Sequence, residues 1–103
     1  MGNTLNGGFV SVIAAGKQQA TSGTSARQTI PTNFSGALPR YIRVAATAAA
    51  CIRLGDSTVV ATAADTQIQP GDSLIMSVNE CTNFAVIQVS AAGLVQVSPL
   101  ENL

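Results

Sequence analysis

From residue 41 onward the chain is a succession of short β-rich runs separated by turn residues. The runs 41–45 (YIRVA) and 51–54 (CIRL) both read as strands. An apolar run, then Gly55-Asp56-Ser57, then the β-branched run 58–62 (TVVAT) predicts a hairpin. Residues 66–69 (TQIQ) predict a short strand. Pro70-Gly71-Asp72 predicts a turn, because proline presets φ at the second position and glycine supplies positive φ at the third. A strand over 73–78, a loop over 79–83 and a strand over 84–89 follow. Ser90-Ala91-Ala92-Gly93 reads as a tight connection to an antiparallel partner over 94–98. Pro99 is expected to end that strand, since proline cannot donate to a ladder. The alanine run 45–50 lies uncapped between two β-rich pieces. It predicts a strand–turn–strand corner, with a helical turn as the alternative.

Residues 1–40 are looser. A strand is expected over 9–13 (FVSVI), stopped at Gly16, and another over 27–30. Residues 17–26 (KQQATSGTSA) are polar and close to low complexity, and 31–39 is rich in turn residues. The expected organisation is a single domain. Residues 1–40 form an N-terminal arm with the first strands, loosely packed, and residues 41–103 form the core. The fold class is all-β: a β-sandwich or jelly-roll-like barrel with an extended N-terminal arm, because turn signals recur at the spacing of that class. The expected core is Val10, Val12, Val44, Ile52, Leu54, Val60, Ile75, Val78, Val86, Val89, Val95 and Val97. The nearly unbroken apolar run 84–89 predicts burial on both faces, by a second sheet on one side and a neighbouring chain on the other.

Charge changes the picture. Only 10% of the 103 residues are charged, five basic against five acidic, where an average chain runs near 25%. A surface so neutral suits a protein built into a larger assembly better than one that must stay apart from its neighbours. No basic cluster favours nucleic acid or an anionic membrane. No apolar stretch approaches membrane-spanning length, and the N-terminus lacks the basic region of a signal peptide. Cys51 and Cys81 are expected as free buried thiols, with one disulfide as the alternative.

Candidate chemistry is sparse. Gly71-Asp72-Ser73-Leu74 spells a serine-esterase motif, but such a serine needs a histidine base and the chain has none. The expected reading is a turn followed by a strand, and Gly55-Asp56-Ser57 is expected to be a second turn. Asp56 and Asp72 are expected to accept local backbone N–H groups. Two separated cysteines and five acids do not suggest a metal site, although calcium shared by Asp56, Asp65 and Asp72 is conceivable. No phosphate loop is present, and four aromatics do not make a stacking platform. The expectation is a protein that is not an enzyme, takes no cofactor or metal, and works by fitting against something.

Three features carry a resemblance: Tyr41-Ile42-Arg43-Val44, the Ile52-Arg53-Leu54-Gly55-Asp56-Ser57 turn, and the expected terminal hairpin around Ser90-Ala91-Ala92-Gly93. Across residues 40–100 the chain resembles small structural virion proteins of tailed bacteriophages. The resemblance implies a capsid decoration (cement) protein that binds the major capsid protein or other virion subunits and stabilises the shell. It also implies a homo-oligomer, with a trimer favoured, located in the virion and assembled in the host cytoplasm. On that reading Leu5, Phe9 and Phe34 are candidate apolar anchors of the arm and Arg27 a candidate polar contact. Alternatives are a neck, tail or fibre-base component, and a small carbohydrate-binding or adhesion module.

Overall fold

A computed structural model of the chain describes residues 10–11 and 15–102. Among them the regular structure is entirely extended: β1 (Val10–Ser11), β2 (Lys17–Ala20), β3 (Ala26–Thr29), β4 (Tyr41–Ala46), β5 (Ala50–Gly55), β6 (Thr66–Ile68), β7 (Ser73–Ser77), β8 (Asn83–Gln88) and β9 (Leu94–Asn102). Two antiparallel sheets form a β-sandwich. In the first, β9 pairs with β4 on one side and with β2 and then β1 on the other, and β7 closes the far edge of β4. The second runs β3–β8–β5–β6. From β2 onward every connection crosses between the sheets except β5 to β6.

Period-two alternation explains what lies between the sheets. In β4, Ile42 and Val44 are buried and Arg43 is exposed; in β9, Val95 and Val97 are buried and Gln96 is exposed. The second sheet answers with Ala50, Ile52, Ile68, Phe84 and Val86. Each large apolar side chain so buried contributes about 1.5–3 kcal/mol.

The open side between β2 and β3 is closed by polar groups. Lys17 donates to Thr29 Oγ1. Gln28 Nε2 donates to Gln18 O and to Gln19 Oε1, each at 3.0 Å. Polar residues turned inward at an edge also discourage pairing with another chain.

Several expectations need correcting. Residues 58–62 are not a strand; β5 pairs instead with β6, beyond a long loop over 56–65. β8 and β9 do not pair with each other: the connection between them crosses the sandwich, β8 joining β3 and β5, and β9 joining β4 and β2. Pro99 does not end β9. It lies opposite Ile42, and on its other side it falls between the β2 ladder, which stops at Val97, and the β1 ladder, which starts at Glu101. A proline is tolerated where a ladder is interrupted. Residues 17–20 form a strand that the polar composition hid. The corner at 47–49, the strand β6 and the turn at 69–72 are as expected. In that turn Asp72 N donates to Gln69 O at 3.1 Å, and Gly71 takes φ 90°.

Of the expected core, Val44, Ile52, Val78, Val86, Val95 and Val97 are buried and Leu54 partly so. Ile75 is 59% exposed, Val60 52% and Val89 45%. In β7 the inward positions are Leu74 and Met76, which leaves Ile75 on the outer face. Val60 sits between the buried Val59 and Ala61, and Val89 lies just beyond the end of β8. The side chains of Val10 and Val12 lie outside the described residues. The expected burial on both faces holds over residues 84–87, where both layers come from the chain itself, and not at Val89. Val59 and Ala61 of the 56–65 loop pack on Ala85 and Ile87, on the face of β8 opposite Phe84 and Val86. Cys51 is buried and Cys81 partly buried, and neither is bridged.

Candidate interaction surface

The connections gather at two ends of the sandwich, and the ends differ. At one, short corners are tied backbone to backbone: Thr21 N donates to Gly93 O and Thr47 N to Leu94 O, both at 2.9 Å. Thr21 Oγ1 and Thr47 Oγ1 accept in return from Gly93 N and Leu94 N. At the other end lie the longer loops over 30–40, 56–65 and 78–82. They are joined by Ile30 N to Thr82 O, Val78 N to Arg40 O and Thr82 N to Gly55 O, at 2.9–3.0 Å.

The 30–40 loop is built around Asn33. Its Oδ1 accepts from Ser35 N, Ser35 Oγ and Ala37 N at 2.8–3.1 Å, and its backbone N donates to Ala37 O. Gly36, at φ 90°, completes the reversal. Ile30, Pro31 and Pro39 are buried where the loop leaves and rejoins the sandwich. Between these roots Phe34 is 76% exposed and Leu38 is also exposed.

The 78–82 loop turns through Asn79 at φ 52° and Glu80 at φ 68°, with Cys81 N donating to Val78 O at 3.0 Å. Two successive positive φ values over such a bond make a type I′-like turn. Asparagine tolerates this conformation; glutamate does so at a cost. Strain of this kind gathers at functional sites, and here it borders two clefts. One, of about 450 Å³, runs between Leu38, Pro39, Arg40 and Tyr41 on one side and Ser77, Asn79 and Glu80 on the other. The second, of about 240 Å³, lies between Asn79–Glu80 and Gly55–Asp56. In the larger cleft one aromatic, one cation and one carboxylate thus share a concave surface.

The 56–65 loop is internally braced. Asp56 Oδ1 accepts from Thr58 N at 2.8 Å and Thr58 Oγ1 at 2.6 Å. The Thr58 hydroxyl and then its amide hold the Asp56 carboxyl below the usual aspartate range. Asp65 accepts from Thr62 N at 2.7 Å and Arg53 Nε at 2.9 Å. The Thr62 amide leads in lowering its pKa, against some desolvation and with help from Arg53. Both aspartates are therefore turn-formers, and no group of three metal-ligating side chains occurs among the described residues. Ser73 opens β7 directly after the 69–72 turn.

Of the sequence-predicted contact residues, Phe34 lies in the 30–40 loop. Arg27 lies on β3, where its Nη1 donates to Val59 O at 3.1 Å and so helps clamp the 56–65 loop. Leu5 and Phe9 lie outside the described residues. The cleft residues Arg40, Tyr41, Asn79 and Glu80 were not singled out as a group by sequence reasoning. Their proximity depends on the pairing of β4 with β7, and the only local signal is a loop without glycine at 79–83. No family model, no curated protein and no solved structure matches this chain.

Proposed function

We propose that the chain is a non-enzymatic structural protein of a tailed-phage virion, a capsid decoration protein that binds the major capsid protein and braces the shell. The observation that carries the reading is that a chain only 10% charged exposes apolar residues, Phe34 and Leu38, at the loop end of the sandwich. Such a surface is suited to burial against another subunit. The strand order supports it. β2–β9–β4–β7 against β3–β8–β5–β6, with nearly every connection crossing, reads as a jelly roll, an architecture that viral capsid domains share with lectins and cupins. Fold alone does not give function; the low charge of the chain and the absence of histidine from the sequence tilt the choice. On this reading the chain acts as a homo-oligomer in the virion, a trimer as the resemblance implies, and many weak contacts add by avidity on a repeating shell.

The test is quantitative mass spectrometry of purified particles. A copy number equal to, or a simple fraction of, that of the major capsid protein supports decoration. A handful of copies per particle moves the protein to the neck, tail or fibre base. Absence from particles overturns the virion reading.

One observation favours a second reading. Tyr41 stands beside Arg40, Ser77, Asn79 and Glu80 in the larger cleft, the combination of a ring and hydrogen-bonding groups that a carbohydrate-binding or adhesion module uses. Glycan-array binding abolished by Tyr41→Ala would support that reading.

A further inference from the structure

The sandwich has four edges, and three are guarded. β2 turns Lys17 and Gln19 into a polar seam with β3, whose Arg27 is engaged with the 56–65 loop. β6 is three residues long and is followed closely by Pro70. β7 is different. Its five residues, Ser73-Leu74-Ile75-Met76-Ser77, contain no charge and no proline, and among the described residues no strand pairs with its outer edge. A neutral apolar edge of this kind is a template for another strand.

The ladder to β4 shows which backbone groups are available. Val78 N donates to Arg40 O, one step beyond the Tyr41–Ser77 pair. Because hydrogen-bonded and non-hydrogen-bonded pairs alternate, Met76 and Leu74 direct their backbone groups to β4. Ser73, Ile75 and Ser77 direct theirs outward.

The strand is also its own complement. Read in either direction it runs Ser, large apolar, Ile, large apolar, Ser. We propose that β7 is a homotypic docking edge, at which a second copy of this chain adds its β7 antiparallel about a two-fold axis through Ile75. Ile75 of each copy then exchanges both backbone hydrogen bonds with its counterpart, and Ser73 of each pairs with Ser77 of the other. Leu74 meets Met76 on the inner face, where both are only partly covered by the core. Ile75, 59% exposed in one copy, meets Ile75 on the outer face. Charge selects the direction: the antiparallel pair puts the two Asp72 carboxylates at opposite ends, whereas a parallel pair would stack them. This is an isologous contact, in which the same patch serves both partners. It does not rest on the virion reading, and it is a two-fold contact rather than the trimer that the resemblance implies.

One strand per copy makes a small interface, so association will depend on concentration. The test is sedimentation equilibrium of the full chain from about 10 µM to about 1 mM. The expected species are 10.4 kDa and twice that mass. Ile75→Pro removes a donor that faces out from the sheet, and Ile75→Lys places a charge on the two-fold axis. Each is expected to weaken dimerisation about tenfold or more, while circular dichroism stays that of the wild type. Ile75→Cys in a Cys81→Ser background is expected to form an intermolecular disulfide under mild oxidation, since paired antiparallel strands hold such residues within reach. A monomer at every concentration overturns the proposal. So does an oligomer of any order that Ile75→Lys and Ile75→Pro leave intact in folded protein.

Discussion

Glu80→Gly is expected to stabilise this protein. Glu80 sits at φ 68° directly after Asn79 at φ 52°, in a turn closed by the 3.0 Å bond from Cys81 N to Val78 O. An L-residue held in the left-handed region costs about 1–2 kcal/mol. Glycine removes that cost but brings extra freedom to the unfolded chain, worth about 0.5–1 kcal/mol against folding. The net gain is then centred on about 0.75 kcal/mol, and it turns the dipeptide into Asn-Gly, the pair best suited to such a turn. In a domain of this size that corresponds to a rise in melting temperature of about 3–6 °C. Urea and thermal unfolding measure it. Glu80→Ala is the control: it removes the carboxylate but keeps a Cβ at positive φ, so its stability should stay within about 0.5 kcal/mol of the wild type. If Glu80→Gly gains nothing while Glu80→Ala is neutral, the backbone is not strained there and the reasoning fails. If both variants lose stability equally, the Glu80 side chain holds the turn through its own contacts. A gain specific to glycine would mean that the chain keeps glutamate at the cleft against its own stability, as a binding residue would require.

Three further outcomes follow from the packing. Phe84→Ala, at the largest fully buried side chain, should cost about 3–5 kcal/mol by cavity formation, read as a lower urea midpoint or loss of the folded state. Arg27→Ala breaks the bond to Val59 O and should cost about 0.5–1.5 kcal/mol; hydrogen exchange should quicken at Val59 and Ala61 and remain slow at Ile42 and Val97. Asp56 and Asp65 both titrate below the usual aspartate range in the folded state, so their contribution is present above the unfolded pKa and is lost as pH falls through about 4 and below. Acid unfolding of Asp56→Asn and Asp65→Asn should be less steep across that window than in the wild type; an unchanged profile would remove these turns from the pH dependence.

Local signals carried the strands well and their pairing poorly. The turn at Pro70-Gly71-Asp72 and the alanine corner were legible because their residues dictate backbone geometry. Ser90-Ala91-Ala92-Gly93 misled because a short connection between two apolar runs looks alike whether the strands pair or cross the sandwich. Here they cross, as nearly all do. The miss at Ile75 is an error of phase. Choosing Ile75 from Ser-Leu-Ile-Met-Ser put the outer face inside, when Leu74 and Met76 are the inward pair. β2 was hidden because an edge strand with inward polar groups has no hydrophobic alternation to show. The cleft was invisible for a different reason: Tyr41 and Glu80 are brought to one surface only by the β4–β7 ladder.

The two outer faces of the sandwich account for the low charge in different ways. On the four-stranded sheet the face behind Phe84 and Val86 is occupied from within. Val59 and Ala61 cover Ala85 and Ile87, the Ser25 hydroxyl accepts from Ala61 N at 2.8 Å, and Arg27 holds Val59 O. Gly55 makes this possible, since a Cβ there would meet Val59 Cβ at 2.8 Å. That face is spent on the chain's own loop. On the five-stranded sheet the outward residues of β4 and β7 are Tyr41, Arg43, Ala45, Ser73, Ile75 and Ser77, small or neutral except for Arg43. A free monomer gains nothing from keeping this surface and its edge so poor in charge, because repulsion is what prevents strand-to-strand association. The composition therefore makes physical sense if the proposed second copy meets the protein at the β7 edge.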